Sequence, residues 1–303
     1  MTRAKAYAEL ETRAPATRHA YRTDFRSFEG WCGERGFVAL PASPATIGVY
    51  LAALAGEGRR TSTLERALSG IGDAHRVRGY PWHRAHPAIA DVLRGIRRRH
   101  GVAPAQKAPV GDGELARMLE ALGGDLVDHR DRAVLTLGWM GAFRRSELVA
   151  LRVEDLVRTP EGLMVRMRRS KGDQEGRGVE KAIPYAAQTA LCAVRALEGW
   201  LEASGVTEGP LLRAVARGGQ VAAEGLCDRT VARIIKRAAA KVGLDPARLA
   251  GHSLRAGFAT TAAKKGKTLD AIVRQTGHRS ERVARSYIRP GGVFEGNAAV
   301  GLL

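Results

Sequence analysis

The sequence predicts a mainly α-helical protein with a small antiparallel β insert, built from two domains. Apolar residues recur at helical spacing through most of its 303 residues, and one region alternates as strands do. A segment rich in proline and alanine separates two helical regions. With 45% apolar and 26% charged residues, the composition is typical of a folded globular chain.

Four amphipathic helices are predicted in the first hundred residues, forming a four-helix-type bundle. The first helix buries one stripe of side chains, which recur at steps of four, three and four: Tyr21, Phe25, Phe28 and Cys32. Ser43 followed by Pro44 marks the start of the second helix. Ser62 and Glu65 predict a capping box for the third, and Pro87 opens the fourth.

The domain boundary is expected at residues 101–111, where two prolines, three alanines and two glycines occur almost without charge. We therefore predict a helical domain over residues 1–102, a linker over 103–111 and a second domain over 112–303.

The second domain is predicted to be mostly helical. Asp112 and Asp128 are the expected caps of its first two helices, and the second helix is apolar nearly all round, so it should be buried. Residues 163–167 and 179–183 alternate as strands and enclose a hairpin tip that carries Lys171. Further helices are expected at about 186–203, 227–242, 253–264, 268–276 and 280–287.

Positive charge dominates both domains. The chain has 49 Lys and Arg against 31 Asp and Glu, a net charge of +18. Arginine, whose planar fork suits phosphate, supplies 40 of these basic residues, so nucleic acid is the predicted partner. A GC-rich genome would explain arginine over lysine, but not the shortage of acidic residues. The candidate DNA-binding face is the basic end of the fourth helix: Arg94, Arg97, Arg98 and Arg99.

Several function classes are disfavoured. Three scattered cysteines provide neither a disulfide framework nor a zinc pair, and the N-terminus has no apolar signal segment. His83 and His86 lack a further metal ligand, and no phosphate-binding loop or acidic magnesium cluster is present. We expect no metal, no cofactor and no membrane span. The expected location is cytoplasmic and nucleoid-associated, in a bacterium, an archaeon or a phage host.

An ordered set of reactive side chains follows along the second domain: Arg144, Glu147, Lys171, His252, Arg255, His278 and Tyr287. The first two come directly after the buried helix, where unpaired charge is costly, so ion pairing or a bound anion is expected. His252 and Arg255 lie three residues apart and share a helix face. Because Arg145 adjoins Arg144, which of the two points at the anion stays open.

This ordered combination resembles the tyrosine recombinase (phage integrase) family over the whole chain. The resemblance implies a helical DNA-binding domain and a catalytic domain that together form a C-shaped clamp on DNA. It also implies site-specific recombination through a 3′-phosphotyrosyl intermediate and a Holliday junction. Tyr287 would be the nucleophile, Lys171 the hairpin lysine, and Glu147 the residue that holds the arginines. The remaining catalytic positions would be Arg144, His252, Arg255 and His278.

Physical chemistry supports these roles. A tyrosine has a pKa of about 10, so Tyr287 needs a base, which His252 can supply, and a field of positive charge. Two forked guanidiniums, Arg144 and Arg255, fit the charge that develops on the phosphate oxygens. Lys171 can protonate the departing 5′ oxygen, and His278 can hydrogen-bond a phosphate oxygen.

Plainer explanations exist for each residue taken alone. The arginines could be surface charges, Lys171 a solvated side chain, His252 a helix cap, His278 a turn residue and Tyr287 part of the core. Lys181 and Arg177 are nearby alternatives to Lys171 for the same role. A type IB topoisomerase and a non-catalytic, architectural DNA-binding protein are the alternative functions.

Assembly on DNA follows from recombination itself, which makes two cuts on each of two duplexes and so needs four nucleophiles. We expect a homotetramer on double-stranded DNA with inverted-repeat half-sites. The segment 293–303 is nearly uncharged and carries apolar side chains that suit a groove on a neighbouring subunit, namely Phe294, Val300, Leu302 and Leu303. Packing of this tail on its own domain is the alternative.

Overall fold

The computed structural model describes residues 14–101, 107–168 and 178–277. The chain divides into two compact units, Met1–Ala105 and Gln106–Leu303. Among the described helices, none combines the length and the apolar character that a membrane span requires.

The described part of the first unit consists of four α-helices, as the sequence predicts. They are α1 (Pro15–Gly33), α2 (Pro44–Gly56), α3 (Thr61–Val77) and α4 (Pro87–His100). Their apolar stripes meet in one core, whose fully buried members include Phe28, Leu51, Leu64, Leu68, Ile71 and Ile89. The periodic spacing of apolar residues therefore identifies the inward faces of this unit.

The helix starts of the first unit agree with the sequence at α2 but not at α3. The Ser43 hydroxyl accepts a hydrogen bond from the Thr46 backbone N–H at 3.1 Å, as predicted. The predicted capping box of Ser62 and Glu65 is wrong, because α3 begins at Thr61 and has no side-chain cap. Glu65 instead accepts hydrogen bonds from Arg97, the shorter at 2.5 Å, so it links α3 to α4.

The second unit is built around one buried helix. The helices are α5 (Asp112–Glu120), α6 (Leu126–Met140), α7 (Arg145–Ala150), α8 (Ala193–Ser204), α9 (Asp228–Lys241), α10 (Ser253–Lys264) and α11 (Leu269–Thr276). Nearly every residue from Arg130 to Trp139 is buried, which confirms the prediction for α6. The predicted caps are displaced: Gly111 precedes α5, and Asp125 rather than Asp128 caps α6.

Two small antiparallel sheets complete the second unit. In the first sheet the order is β1 (Leu156–Thr159), β2 (Gly162–Met167) and β3 (Val179–Pro184). The two strands predicted from alternation, β2 and β3, are confirmed, and Val165 pairs with Lys181 in their register. The sequence does not reveal β1 or the second sheet, formed by β4 (Arg213–Val215) and β5 (Val221–Gly225), because these strands are short and half exposed.

The segment 107–110, within the predicted linker, packs against the second unit. Val110 is buried, its N–H donates to the Ser253 carbonyl at 2.9 Å, and its carbonyl accepts from Trp139 Nε1 at 2.9 Å. A Cβ on Gly257 would lie 1.7 Å from the Val110 oxygen, so only glycine permits this approach. The segment is thereby joined to the start of α10 and to the end of α6.

Candidate active site

The turn that follows α6 is the centre of the site. Gly141, Ala142 and Phe143 lead from the end of α6 to Arg144, the residue that precedes α7. Ala142 has a φ of +45°, in the left-handed region that costs an L-residue about 1–2 kcal/mol. Such a conformation persists where surrounding contacts determine it.

Those contacts are hydrogen bonds to three successive carbonyls. The bonds come from three different elements and run from Gln275 Nε2 to Met140 O (2.8 Å), from Lys181 Nζ to Gly141 O (2.7 Å), and from Arg255 Nη1 to Ala142 O (2.7 Å). Carbonyls at a helix C-terminus lack helical partners and carry partial negative charge, so cations are favourable there. The turn is therefore fixed from α11, β3 and α10 together.

Arg144 is held by hydrogen bonds from both its backbone and its guanidinium. Its guanidinium donates to Glu147 Oε1 at 2.5 Å, and its backbone N–H donates to Glu147 Oε2 at 2.8 Å. Glu147 is 5% exposed, whereas the Arg144 side chain keeps 19% exposure. The guanidinium also donates to the Gly277 carbonyl at 3.3 Å, which places the end of α11 beside it. Arg144 is thus oriented while part of its surface stays open.

His252 and Arg255 lie at the start of α10. Arg255 is 2% exposed and directs its guanidinium at the turn after α6. His252 is exposed and precedes the first residue of the helix, but its side chain makes no capping hydrogen bond to the helix start. His252 therefore occupies the N-cap position without capping the helix through its side chain.

Arg145 points away from this cluster. Its guanidinium lies 3.7 Å from the Asp228 carboxylate on α9, and its side chain passes directly over Gly251. A Cβ on Gly251 would lie 1.7 Å from Arg145 Cδ. Of the two adjacent arginines, Arg144 is therefore the one that shares the turn with Arg255.

Lys181 is a buried cation beside both arginines. It is 2% exposed on the inward face of β3, and its ammonium lies 4.8 Å from the centre of the Phe143 ring. Burial lowers the pKa of Lys181 to about 7. The positive charges of Arg255 and Arg144 also contribute to this lowered pKa, and the Glu147 carboxylate opposes them.

Comparison with known proteins identifies the family. Residues 112–291 match the sequence profile of the phage integrase family. The chain belongs to this family, the tyrosine recombinases. An integrase/recombinase XerD homolog from Selenomonas ruminantium is 41% identical over 97% of this chain and 87% of its own length. The recombinase Cre of Escherichia phage P1 is 27% identical over 87% of this chain and 81% of its own length.

Solved structures confirm the predicted fold class. A lambda integrase tetramer bound to a Holliday junction has a TM-score of 0.63 at 19% identity and covers 94% of this chain and 75% of that one. The Tn1549 transposon integrase in complex with transposon right end DNA has a TM-score of 0.62 at 16% identity, covering 94% and 92%. Because the sequence identities are below 20%, these two comparisons show a shared fold.

The predicted site residues of the recombinase fall into two groups. Arg144, Glu147 and Arg255 are brought together around the turn after α6, and His252 lies at the start of the helix that carries Arg255. Lys171, His278 and Tyr287 lie outside the described residues, as does the predicted tail 293–303. Lys181, proposed from sequence as an alternative to Lys171, is described and buried, whereas Arg177 is outside the described range.

The predicted DNA-binding arginines of α4 have different surroundings. Arg94 lies 3.2 Å from Asp91, and Arg97 bonds Glu65, so both form exposed ion pairs within the first unit. Arg98 and Arg99 are exposed, and no carboxylate in the described ranges pairs with them. These two are therefore the candidates without an acidic partner in the described part of the chain.

A basic groove between α1 and α3 is a feature that the sequence prediction missed. The groove has a volume of about 360 Å³, and four arginines line it: Arg18, Arg22, Arg26 and Arg78. Arg22 and Arg26 have no carboxylate partner among the described residues. The signal was present in the sequence, because Arg18, Arg22 and Arg26 recur every four residues and so share a helix face.

Glu147→Gln is expected to lower the free energy of unfolding by about 3 kcal/mol, because it leaves Arg144 and its cationic neighbours without their buried counter-charge. Urea unfolding at constant pH measures this loss. Glu198→Gln is the matched control, since Glu198 pairs with Arg158 on the exposed surface and its loss should cost less than about 1 kcal/mol. Equal losses in the two variants would contradict the role of Glu147 as counter-charge.

Proposed function

We propose that this tyrosine recombinase cuts and rejoins DNA at specific sites through Tyr287, with Arg144 and Arg255 binding the reacting phosphate. The observation that carries the proposal is that the same turn, residues 141–143, lies next to both guanidiniums. Arg255 bonds the Ala142 carbonyl, and Arg144 follows two residues later with Glu147 as its partner. One rigid turn therefore sets the position of both side chains.

Two guanidiniums match what strand cleavage demands. During attack on phosphorus, negative charge builds on the non-bridging oxygens, and preorganised donors that meet this charge stabilise the transition state. A guanidinium offers two parallel donors at a fixed spacing, which an ammonium cannot. Because Arg144 and Arg255 are already oriented by the turn, little reorganisation accompanies the reaction.

The proposed cleavage step exchanges one phosphoester for another. The Tyr287 oxygen bonds to phosphorus as its phenolic proton passes to His252, and the bond from phosphorus to the 5′ oxygen breaks. Lys171 supplies the proton to that oxygen, and His278 donates a hydrogen bond to the phosphate. The product is a 3′-phosphotyrosyl link and a free 5′ hydroxyl.

Rejoining reverses this step with a new partner. The 5′ hydroxyl of the second duplex attacks the phosphotyrosyl phosphorus and passes its proton to Lys171, while the Tyr287 oxygen leaves and regains its proton from His252. Two such rounds, separated by a Holliday junction, exchange the two duplexes. Since each step makes one phosphoester and breaks one, the bond energy is conserved without an external energy source.

The first unit is proposed to contact the DNA backbone through its basic groove. Arg22 and Arg26 stand one helical turn apart on α1, and Arg78 approaches from the end of α3. Backbone phosphates fit this groove because Arg22 and Arg26 pair with no carboxylate among the described residues. Arg98 and Arg99 on α4 stay candidates for the same backbone, whereas Arg94 and Arg97 are already paired.

A tetramer on inverted-repeat half-sites is proposed as the active assembly, in the manner that the lambda integrase tetramer on a Holliday junction suggests. An apolar groove of about 390 Å³ in the second unit supports the tail as the connecting element. The groove lies between the end of α6, α10 and α11, and its apolar lining includes Trp139, Phe258 and Ile272. We assign residues 293–303 of a neighbouring copy as its occupant.

Tyr287→Phe should bind DNA with unchanged affinity but form no covalent adduct, because the nucleophilic oxygen is lost. The substrate is a nicked duplex that carries a site selected by the wild-type protein from a random pool, and the adduct is detected on denaturing gels. Tyr185→Phe is the matched control, since Tyr185 is an exposed tyrosine at the end of β3. An adduct that persists in Tyr287→Phe would place the nucleophile elsewhere.

Replacing both Arg22 and Arg26 by alanine should reduce the salt dependence of DNA binding. Each lost phosphate contact lowers the slope of log K against log salt by about 0.9, so the double variant should lose roughly two units. Fluorescence anisotropy over a salt series measures the slope. Arg97→Ala, which removes an arginine already paired with Glu65, should change it by well under one unit. Equal effects of the two variants would refute the assignment of the groove.

Removal of residues 293–303 should abolish the four-subunit complex on DNA while a single subunit still binds a half-site. Mass photometry of the protein–DNA complexes distinguishes the two states. Ala271→Trp, which fills the groove from its exposed rim, should reproduce the effect in the full-length chain. If the truncation instead lowers the Tm of the DNA-free monomer and leaves the tetramer intact, the tail packs on its own unit.

A further inference from the structure

Lys181 is a buried cation for which the proposed chemistry has no use. Its side chain projects from the inward face of β3, opposite Val165 in the sheet, and 2% of its surface is exposed. The ammonium donates to the Gly141 carbonyl at 2.7 Å and lies over the Phe143 ring. Both partners belong to the turn that leads to Arg144.

The surroundings of Lys181 raise the free energy of its charged form. Arg144 and Arg255 repel its charge, and Glu147 is the one carboxylate that opposes them among the groups shown to act on it. Burial of an ammonium without a dedicated counter-ion disfavours the charged form. A neutral donor, such as the Gln275 amide that bonds Met140 O, satisfies a carbonyl without a buried charge. The hydrogen bond to Gly141 O therefore does not by itself account for a lysine at this position. Costly ionisable groups of this kind concentrate at functional sites.

Hydrogen bonds link Lys181 to Arg144 along two routes. Along the first, Lys181 holds the Gly141 carbonyl, three residues before Arg144. The second runs through Gln275, which donates to the Ala182 carbonyl at 3.1 Å and to Met140 O at 2.8 Å.

Gln275 lies on α11, and this helix ends at Gly277, whose carbonyl accepts from the Arg144 guanidinium. Hydrogen bonds thus connect β3, the turn after α6 and the end of α11 with one another and with Arg144.

We propose that Lys181 is a positioning residue for strand cleavage, whose ammonium holds the Gly141 carbonyl and thereby fixes the turn that presents Arg144 to the phosphate. Because the ammonium is buried and engaged by the turn, it acts through Arg144 rather than on DNA. Lys171 keeps the proposed role of proton donor. Since this role of Lys181 rests on the proposed function, its test must separate the two.

The test compares three variants with the wild-type chain. Lys181→Met removes the donor and the charge at nearly constant length, and Lys181→Arg keeps both. Lys107→Met is the matched control, because Lys107 Nζ also donates to a backbone carbonyl at 2.7 Å, that of Ala247, away from the two arginines. The readouts are the single-turnover rate of covalent adduct formation on the nicked duplex, the Kd for that duplex and the Tm.

Lys181→Met should form the adduct about ten- to a hundredfold more slowly at pH 6.5, the effect of one lost charge-assisted hydrogen bond, with Kd unchanged. The charges that face Lys181 are Glu147 and Arg144 on and before α7 and Arg255 on α10. Wild-type Lys181 loses its proton as the pH rises through about 7. The ratio of the wild-type rate to the Met rate should therefore shrink towards about pH 9.

Lys181→Arg should restore most of the rate and keep it at high pH, and Lys107→Met should match the wild type. The Tm of Lys181→Met should lie close to the wild-type value, because removal of the buried charge and loss of the hydrogen bond to the Gly141 carbonyl have opposite effects on stability.

Two results would overturn the proposal: a Met variant as fast as the wild type, or a rate ratio independent of pH with a lowered Tm, which indicates a purely structural role. If Lys181→Met does not fold, the test rests on Lys181→Arg, which keeps its charge at high pH. A rate of adduct formation in Lys181→Arg with the same pH dependence as in the wild type would then refute the role of the Lys181 charge. A wild-type chain that forms no Tyr287-dependent adduct would refute the proposed function itself.

Discussion

The second unit depends on how its buried central helix ends. A helix terminates with carbonyls that have no helical partner, and inside a protein these groups must find donors. In this recombinase the donors for residues 140–142 are the side chains of Gln275, Lys181 and Arg255, which come from elements far apart in sequence. The requirement to satisfy three carbonyls therefore also brings together β3, α10 and α11. The arginine that binds the phosphate in our proposal follows directly from that turn.

The sequence contains enough information for the helices of the first unit, for the buried helix α6, for β2 and β3, and for the principal arginines. Apolar spacing predicts α1 to α4 and the burial of α6, because both depend on local periodicity. Arg144 stands out because charge beside a buried helix requires a partner, and Arg255 because it lies three residues after His252 on one helix face. Lys181 could not be assigned in the same way, since its partner Gly141 lies 40 residues away and its burial depends on tertiary packing. The pairing of Glu65 with Arg97, 32 residues apart, escaped prediction for the same reason.

Stability and function make opposite demands on this turn. Ala142 adopts a left-handed backbone conformation, and within the described ranges three cations share a region with one buried carboxylate, that of Glu147. Each of these features costs free energy in the isolated protein. In our proposal, a phosphate between the guanidiniums supplies the missing negative charge, so the clustered cations become favourable in the complex. The cluster would then be better matched to the protein bound to DNA than to the protein alone.

The position of Arg255 depends in turn on a contact outside the site. Helix α10 carries Arg255, and its first turn accepts the N–H of Val110 at the Ser253 carbonyl. The Val110 carbonyl accepts from Trp139, in the last turn of α6, so the chain between the helices fixes their spacing. Gly257 permits this approach, because a Cβ there would overlap the Val110 oxygen. A glycine two residues after Arg255 therefore sets the distance between the helix that carries this guanidinium and the turn that it supports. A position without a side chain thus influences where the Arg255 guanidinium lies.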